Sequence, residues 1–93
     1  MKLEHATLCL INNDLNASAI GFLQIAKGQQ QYEIYYQPYT ETRGEFMVRC
    51  PHQDRILKNY IEAVDMQQLE AAFNSKTWQN GAVYFDVFLK DWE

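Results

Sequence analysis

The chain has 93 residues and a mass of 11.0 kDa, with 47% hydrophobic and 22% charged residues. That length and balance fit one globular domain over residues 1–93 and exclude a disordered chain, which would be less hydrophobic and more highly charged. Eight Lys and Arg against twelve Asp and Glu leave a net charge of −4, a sign that repels nucleic acid and anionic membranes at long range, so neither is an expected partner.

Residues 3–11 alternate as a strand: Ala6, Leu8 and Leu10 against His5, Thr7, Cys9 and Ile11. Both sets are partly apolar, which suits a central strand. Asn12-Asn13-Asp14 is a turn or a helix cap. Residues 15–27 support two readings. As a helix, Leu15, Ala19, Phe22, Leu23 and Ala26 form one stripe, Asp14 caps the start, and Gly28 ends it with Lys27 at the negative pole. As a strand, Ile20–Ala26 pairs with Gln31–Tyr36 across a turn at Gly28. The caps favour the helix, although Gly21 costs it about 1 kcal/mol.

Tyr32–Gln37 is a strand ended by Pro38, and Tyr39–Gly44 is a polar loop. Glu45–Cys50 is a strand with Phe46 and Val48 on one face and Met47 and Arg49 on the other. Residues 56–64 alternate imperfectly as a further strand. Asp65, with Gln68 three residues on, reads as a capping box, and Val64 with Leu69 as a hydrophobic staple, starting a helix that buries Met66, Leu69, Ala72 and Phe73. Asn80-Gly81 is a tight-turn signal before the strand Ala82–Leu89.

The resulting order, β-α-β-β-β-α-β, is an α+β class with an antiparallel sheet of four to five strands and one or two helices on one face. A ferredoxin-like pattern is favoured. The alternative is a β-meander with a single helix at residues 65–75. Tyr35, Tyr36, Tyr84 and Phe88 put apolar surface on both faces of such a sheet. One or two helices cover only one face, so a second copy is expected on the other, and twofold homodimers are the commonest soluble assembly.

Few residues here make a chemical motif. Cys50, His52 and Asp54 carry the group types of a nucleophile, base and orienter. On one strand, however, they stand ~6–7 Å apart, too far for proton transfer. His5 and Cys9 would complete a tetrahedral metal set with Cys50 and His52, but their spacing on a strand is about 13 Å. No metal or cofactor is therefore expected. Arg43, Arg49 and Arg55 lie six apart but are interrupted by Gly44, Pro51, Glu45 and Asp54, with Glu41 just before them, and read as surface charge. Asp86, inside an apolar strand, is the acid whose setting is most unusual.

Aromatic side chains with a polar handle are plentiful and suit interfaces and ligand pockets alike. Near surplus acid, an aromatic pocket suits a cation. The candidate binding residues are Tyr35, Tyr36, Tyr84, Asp86 and Trp92, with Trp92 expected to pack against its own or a second subunit. Two cysteines are too few for a disulfide scaffold, and Met1–His5 carries no secretory pattern, so a cytoplasmic protein with reduced thiols is expected. The expected function is a non-enzymatic, homodimeric protein-interaction or regulatory module. The alternative is a small-molecule binder with an aromatic, acid-rimmed pocket.

Overall fold

A computed structural model describes residues 2–14, 18–26, 28, 30–75 and 81–92. These form an α+β fold. Strands β1 (Leu3–Leu10), β2 (Gly21–Ile25), β3 (Gln31–Pro38), β4 (Gly44–Cys50) and β5 (Gln53–Ile56) follow one another as an antiparallel meander. A 3-10 turn (Leu57–Asn59) and helix α1 (Ala63–Phe73) come next, and β6 (Val83–Lys90) then pairs with the free side of β1. The sheet order is β5-β4-β3-β2-β1-β6. The sheet has six strands rather than four or five, and the described residues hold one α-helix. The ferredoxin-like pattern is thereby overturned, and the meander alternative describes the topology better.

The favoured helix over 15–27 is the error that carried the pattern. Residues 15–17 and 27 lie outside the described residues, but Gly21–Ile25 is a strand bonded on both sides. Gly21 explains why. A Cβ there would sit 2.2 Å from the Cys9 carbonyl oxygen, so the glycine marks close approach of β2 to β1, not a defect in a helix. Ile11 N–H donates to the Ile20 carbonyl at 2.9 Å, and the Asn12 side chain donates to Ala19. These bonds tie the connection back on itself. Gly28 takes φ +83 in the turn to β3, a conformation that glycine adopts without penalty.

The predicted strand at 56–64 is also corrected. Ile56 ends β5, residues 57–59 coil once, and the helix has begun by Ala63. The helix cap is Glu62, not Asp65, and its side chain makes no capping bond. Asp65 lies in the first turn instead. Val64 is exposed, so no staple forms with Leu69, whereas Met66, Leu69 and Phe73 are buried as expected. Asn80, of the expected tight turn, lies outside the described residues.

A flat six-stranded sheet would separate its edge strands by about 24 Å. Yet Ile61, five residues after β5, forms a bridge with Leu89, and Lys90 N–H donates to the Tyr60 carbonyl at 2.7 Å. Five residues reach at most ~17 Å, so the sheet must roll its edges together. The core lies inside this roll. Ala6, Leu8, Leu10, Leu23, Ile34, Val48, Val87 and Leu89 come from the strands and meet Leu57, Ile61 and Leu69. Helix α1 crosses the mouth and delivers Phe73 to Tyr36 on β3 and Phe46 on β4. Among the described residues, no helix is long and apolar enough to cross a membrane.

Candidate functional site

Among the described residues, no element lies over the face of the sheet turned away from the core, and strand register sets what that face displays. Tyr84, Cys9, Phe22 and Glu33 form one row across β6, β1, β2 and β3. That row continues through Arg49 and Asp54 on β4 and β5. Tyr35, Met47 and Ile56 form a neighbouring row. His5 opposes Phe88, and Leu3 opposes Lys90.

The two ends of this face differ in chemistry. Towards β5, Arg49 lies 3.5 Å from both Glu33 and Asp54, with its guanidinium 5.0 Å from the centre of the Tyr35 ring. One cation thus bridges two acids and covers an aromatic. The Tyr35 phenol is held above its usual range, first by burial and then by its hydrogen bond with Asp54. Towards β6, Leu3, Tyr84 and Phe88 are 52%, 68% and 52% exposed. Their polar company is the His5–Asp86 pair at 3.2 Å, with the His5 and Phe88 rings edge to face at 5.6 Å.

A recess lies on the other side of the sheet, between the β3–β4 hairpin and the C-terminal turn of α1, with a volume of about 460 Å³. Its floor is aromatic. Tyr36 stacks on Phe73 at 5.2 Å, and Phe46 meets both edge-on at 5.3 and 5.1 Å. Gly44 gives Tyr36 its place, since a Cβ at residue 44 would fall 2.3 Å from the ring. Tyr39, Arg43, Glu45, Lys58 and Glu70 form the rim. The Glu45 side chain is only 15% exposed, pairs with Lys58 and accepts a 2.8 Å hydrogen bond from the Tyr39 hydroxyl. Lys58 and then Tyr39 stabilise the Glu45 carboxylate and hold it below the usual range. The same contacts raise Lys58 and Tyr39, so this trio stays a carboxylate, an ammonium and a neutral phenol.

The structure scatters the residues singled out in the sequence. Tyr84, Asp86 and Tyr35 share the open face, but Tyr35 is three strands from the other two, about 14 Å away. Tyr36 points to the core side and walls the recess. Trp92 is buried within its own chain, edge-on to Tyr32 and Tyr60 at 5.6 and 5.0 Å, with the Arg55 guanidinium 4.9 Å from its ring.

Cys50, His52 and Asp54 do not share a face. Cys50 is buried in the core, His52 sits at φ 73 in the turn, and Asp54 pairs with Arg49 on the open side. Pro51 followed by a positive φ is the type II turn pattern, which makes a hairpin where an extended run was expected. Burial raises the Cys50 thiol above its usual range, so it stays protonated and unreactive near neutral pH. Cys9 and Cys50 are both free. They stand on opposite faces with β2 and β3 between their strands, and no metal set forms around them among the described residues.

The recess escaped sequence reading because Tyr39–Gly44 looked like an ordinary polar loop and Lys58 like part of a strand. Its available signal was a glycine directly beside an aromatic-rich strand. No family model, curated protein or solved structure matches the chain.

Proposed function

We propose that the chain is a non-enzymatic interaction module that works as a homodimer through the β1–β6 half of its open face. One observation carries this reading: Leu3, Tyr84 and Phe88, spread along one face of two paired strands, all stand more than half exposed. Exposed aromatics of this kind are the residues that dominate protein interfaces. The patch is also self-complementary in charge. Asp86 and Lys90 each lie two residues from Phe88 on the same face of β6. A twofold axis through Phe88, at right angles to the strand, stacks the two Phe88 rings and sets each copy's Asp86 opposite the other copy's Lys90. Such an isologous contact is what a C2 dimer requires. The cytoplasm, a reducing compartment, suits the two free thiols.

Sedimentation equilibrium on the full chain tests this. The expected result is twice the chain mass at micromolar concentration, with Phe88→Glu weakening the dimer about 30-fold or more. Asp86→Lys weakens it too, and adding Lys90→Asp to the same chain restores it. A wild-type chain that sediments as a monomer, or a Phe88→Glu variant that dimerises unchanged, overturns the proposal.

A further inference from the structure

We infer that the recess between the β3–β4 hairpin and the end of α1 is a binding site for a small organic cation, a quaternary or alkyl ammonium group. Three independent features converge there. The first is shape: about 460 Å³ falls within the ~300–1,000 Å³ typical of small-molecule sites.

The second is the aromatic wall. Tyr36 is the part-exposed ring of the wall, held from behind by the buried Phe46 and Phe73, and Tyr39 stands on the lip, 58% exposed, with its hydroxyl fixed on Glu45. A phenol that donates to a carboxylate is a more electron-rich ring, and ring faces attract cations. Because Glu45 is itself held by Lys58, the Tyr39 ring is positioned before any ligand arrives.

The third is the field. Helix α1 ends at this recess, and its last turn carries no basic residue. The negative pole of the helix is usually neutralised by Lys, Arg or His. Here the last turn carries Glu70, an acid that adds to the negative potential. The Asn74 side chain donates to the Glu70 carbonyl at 2.9 Å, which satisfies one backbone acceptor and adds no charge. Of the two cations on the rim, Lys58 is neutralised by Glu45. Arg43 lies on the exposed turn of the hairpin and opposes the incoming charge. The sign of its effect is therefore a test in its own right.

The recess opens on the opposite side of the sheet from the proposed dimer surface, so either reading stands without the other. The experiment is a titration of the full-length chain with choline and, separately, with its uncharged isostere 3,3-dimethylbutan-1-ol, followed by backbone amide NMR shifts. Choline is expected to move the amides of Thr42, Gly44, Phe73 and Asn74, and to bind about tenfold more tightly than the isostere. Tyr39→Leu, at an exposed position, is expected to weaken choline about fivefold. Glu70→Gln weakens it and Arg43→Gln tightens it, each about two- to threefold for charges near the surface. Equal binding of choline and the isostere, shifts confined to other residues, or no choline-dependent shift at all would overturn the assignment.

Discussion

The two ends of the open sheet face are built from the same kind of strand and solve the same problem differently. Towards β5, Arg49 ties Glu33 and Asp54 together over Tyr35, and the apolar atoms beneath gain an ionic cover. Towards β6, the His5–Asp86 pair stands to one side, and Leu3, Tyr84 and Phe88 are left to the solvent. The difference teaches that burial on a one-layered face need not come from a second layer. Long charged side chains with apolar stems can supply it, and where they are missing the face is open for another molecule.

The harshest way to break the comparison is to remove the seam both ends share. Gly21→Val forces a Cβ into the Cys9 carbonyl where β1 and β2 touch. It is expected to cost 4 kcal/mol or more, roughly the size at which small domains cease to fold. Loss of the cooperative urea transition would show it. Next in size is an exchange of sign at the covered end. Tyr35→Glu removes the ring beneath Arg49 and places a third acid beside Glu33 and Asp54, an expected loss of about 2 kcal/mol by urea denaturation. Phe88→Glu at the bare end is expected to change the stability of the isolated monomer by no more than ~0.5 kcal/mol. Equal losses at the two positions would erase the distinction between covered and bare.

A milder test sharpens it. Arg49→Gln unlinks two exposed ion pairs and is expected to cost only about 0.5–1 kcal/mol, with the difference shrinking as salt is added. The smallest effect is chemical and contrasts the two sides of the sheet. A maleimide offered to the monomeric Phe88→Glu chain at neutral pH is expected to modify Cys9, half-buried on the open face, well before Cys50. Burial keeps the Cys50 thiol protonated. Raising the pH speeds attack at Cys50 only as its elevated titration range is approached, and peptide mass mapping after timed quenching separates the two rates.

How much of this was legible in the sequence depended on whether the deciding partner was near or far along the chain. Strand β4 was readable because Phe46 and Val48 alternate with Met47 and Arg49 within one short run. The apolar face of α1 was readable from Met66, Leu69 and Phe73 at helical spacing. Residues 20–25 carry a stripe that fits a helix and an alternation that fits a strand, and β1 and β3 on either side decided for the strand. The cap at Asp65 failed for a related reason. Ile61 is held by its bridge to Leu89, so the chain enters the helix at Glu62, three residues before the best capping side chain. Among the candidate site residues, Tyr84 and Asp86 were identifiable as neighbours on one strand face. That Tyr36 would face a recess while Tyr35 faced Arg49 followed from a register that only pairing can set.

The bonding of β6 to β1 also bears on how the chain comes into being. The register joins Leu3 to Lys90, a contact between residues nearly the whole described length apart. The five strands of the meander need only their chain neighbours and can assemble while synthesis continues. During that interval β1 is an edge strand, with backbone donors and acceptors unpaired along the side that β6 later takes. Pairings between distant segments form slowly, and exposed edges recruit other chains. The nascent protein is therefore most prone to aggregate in the interval between completing β5 and docking β6.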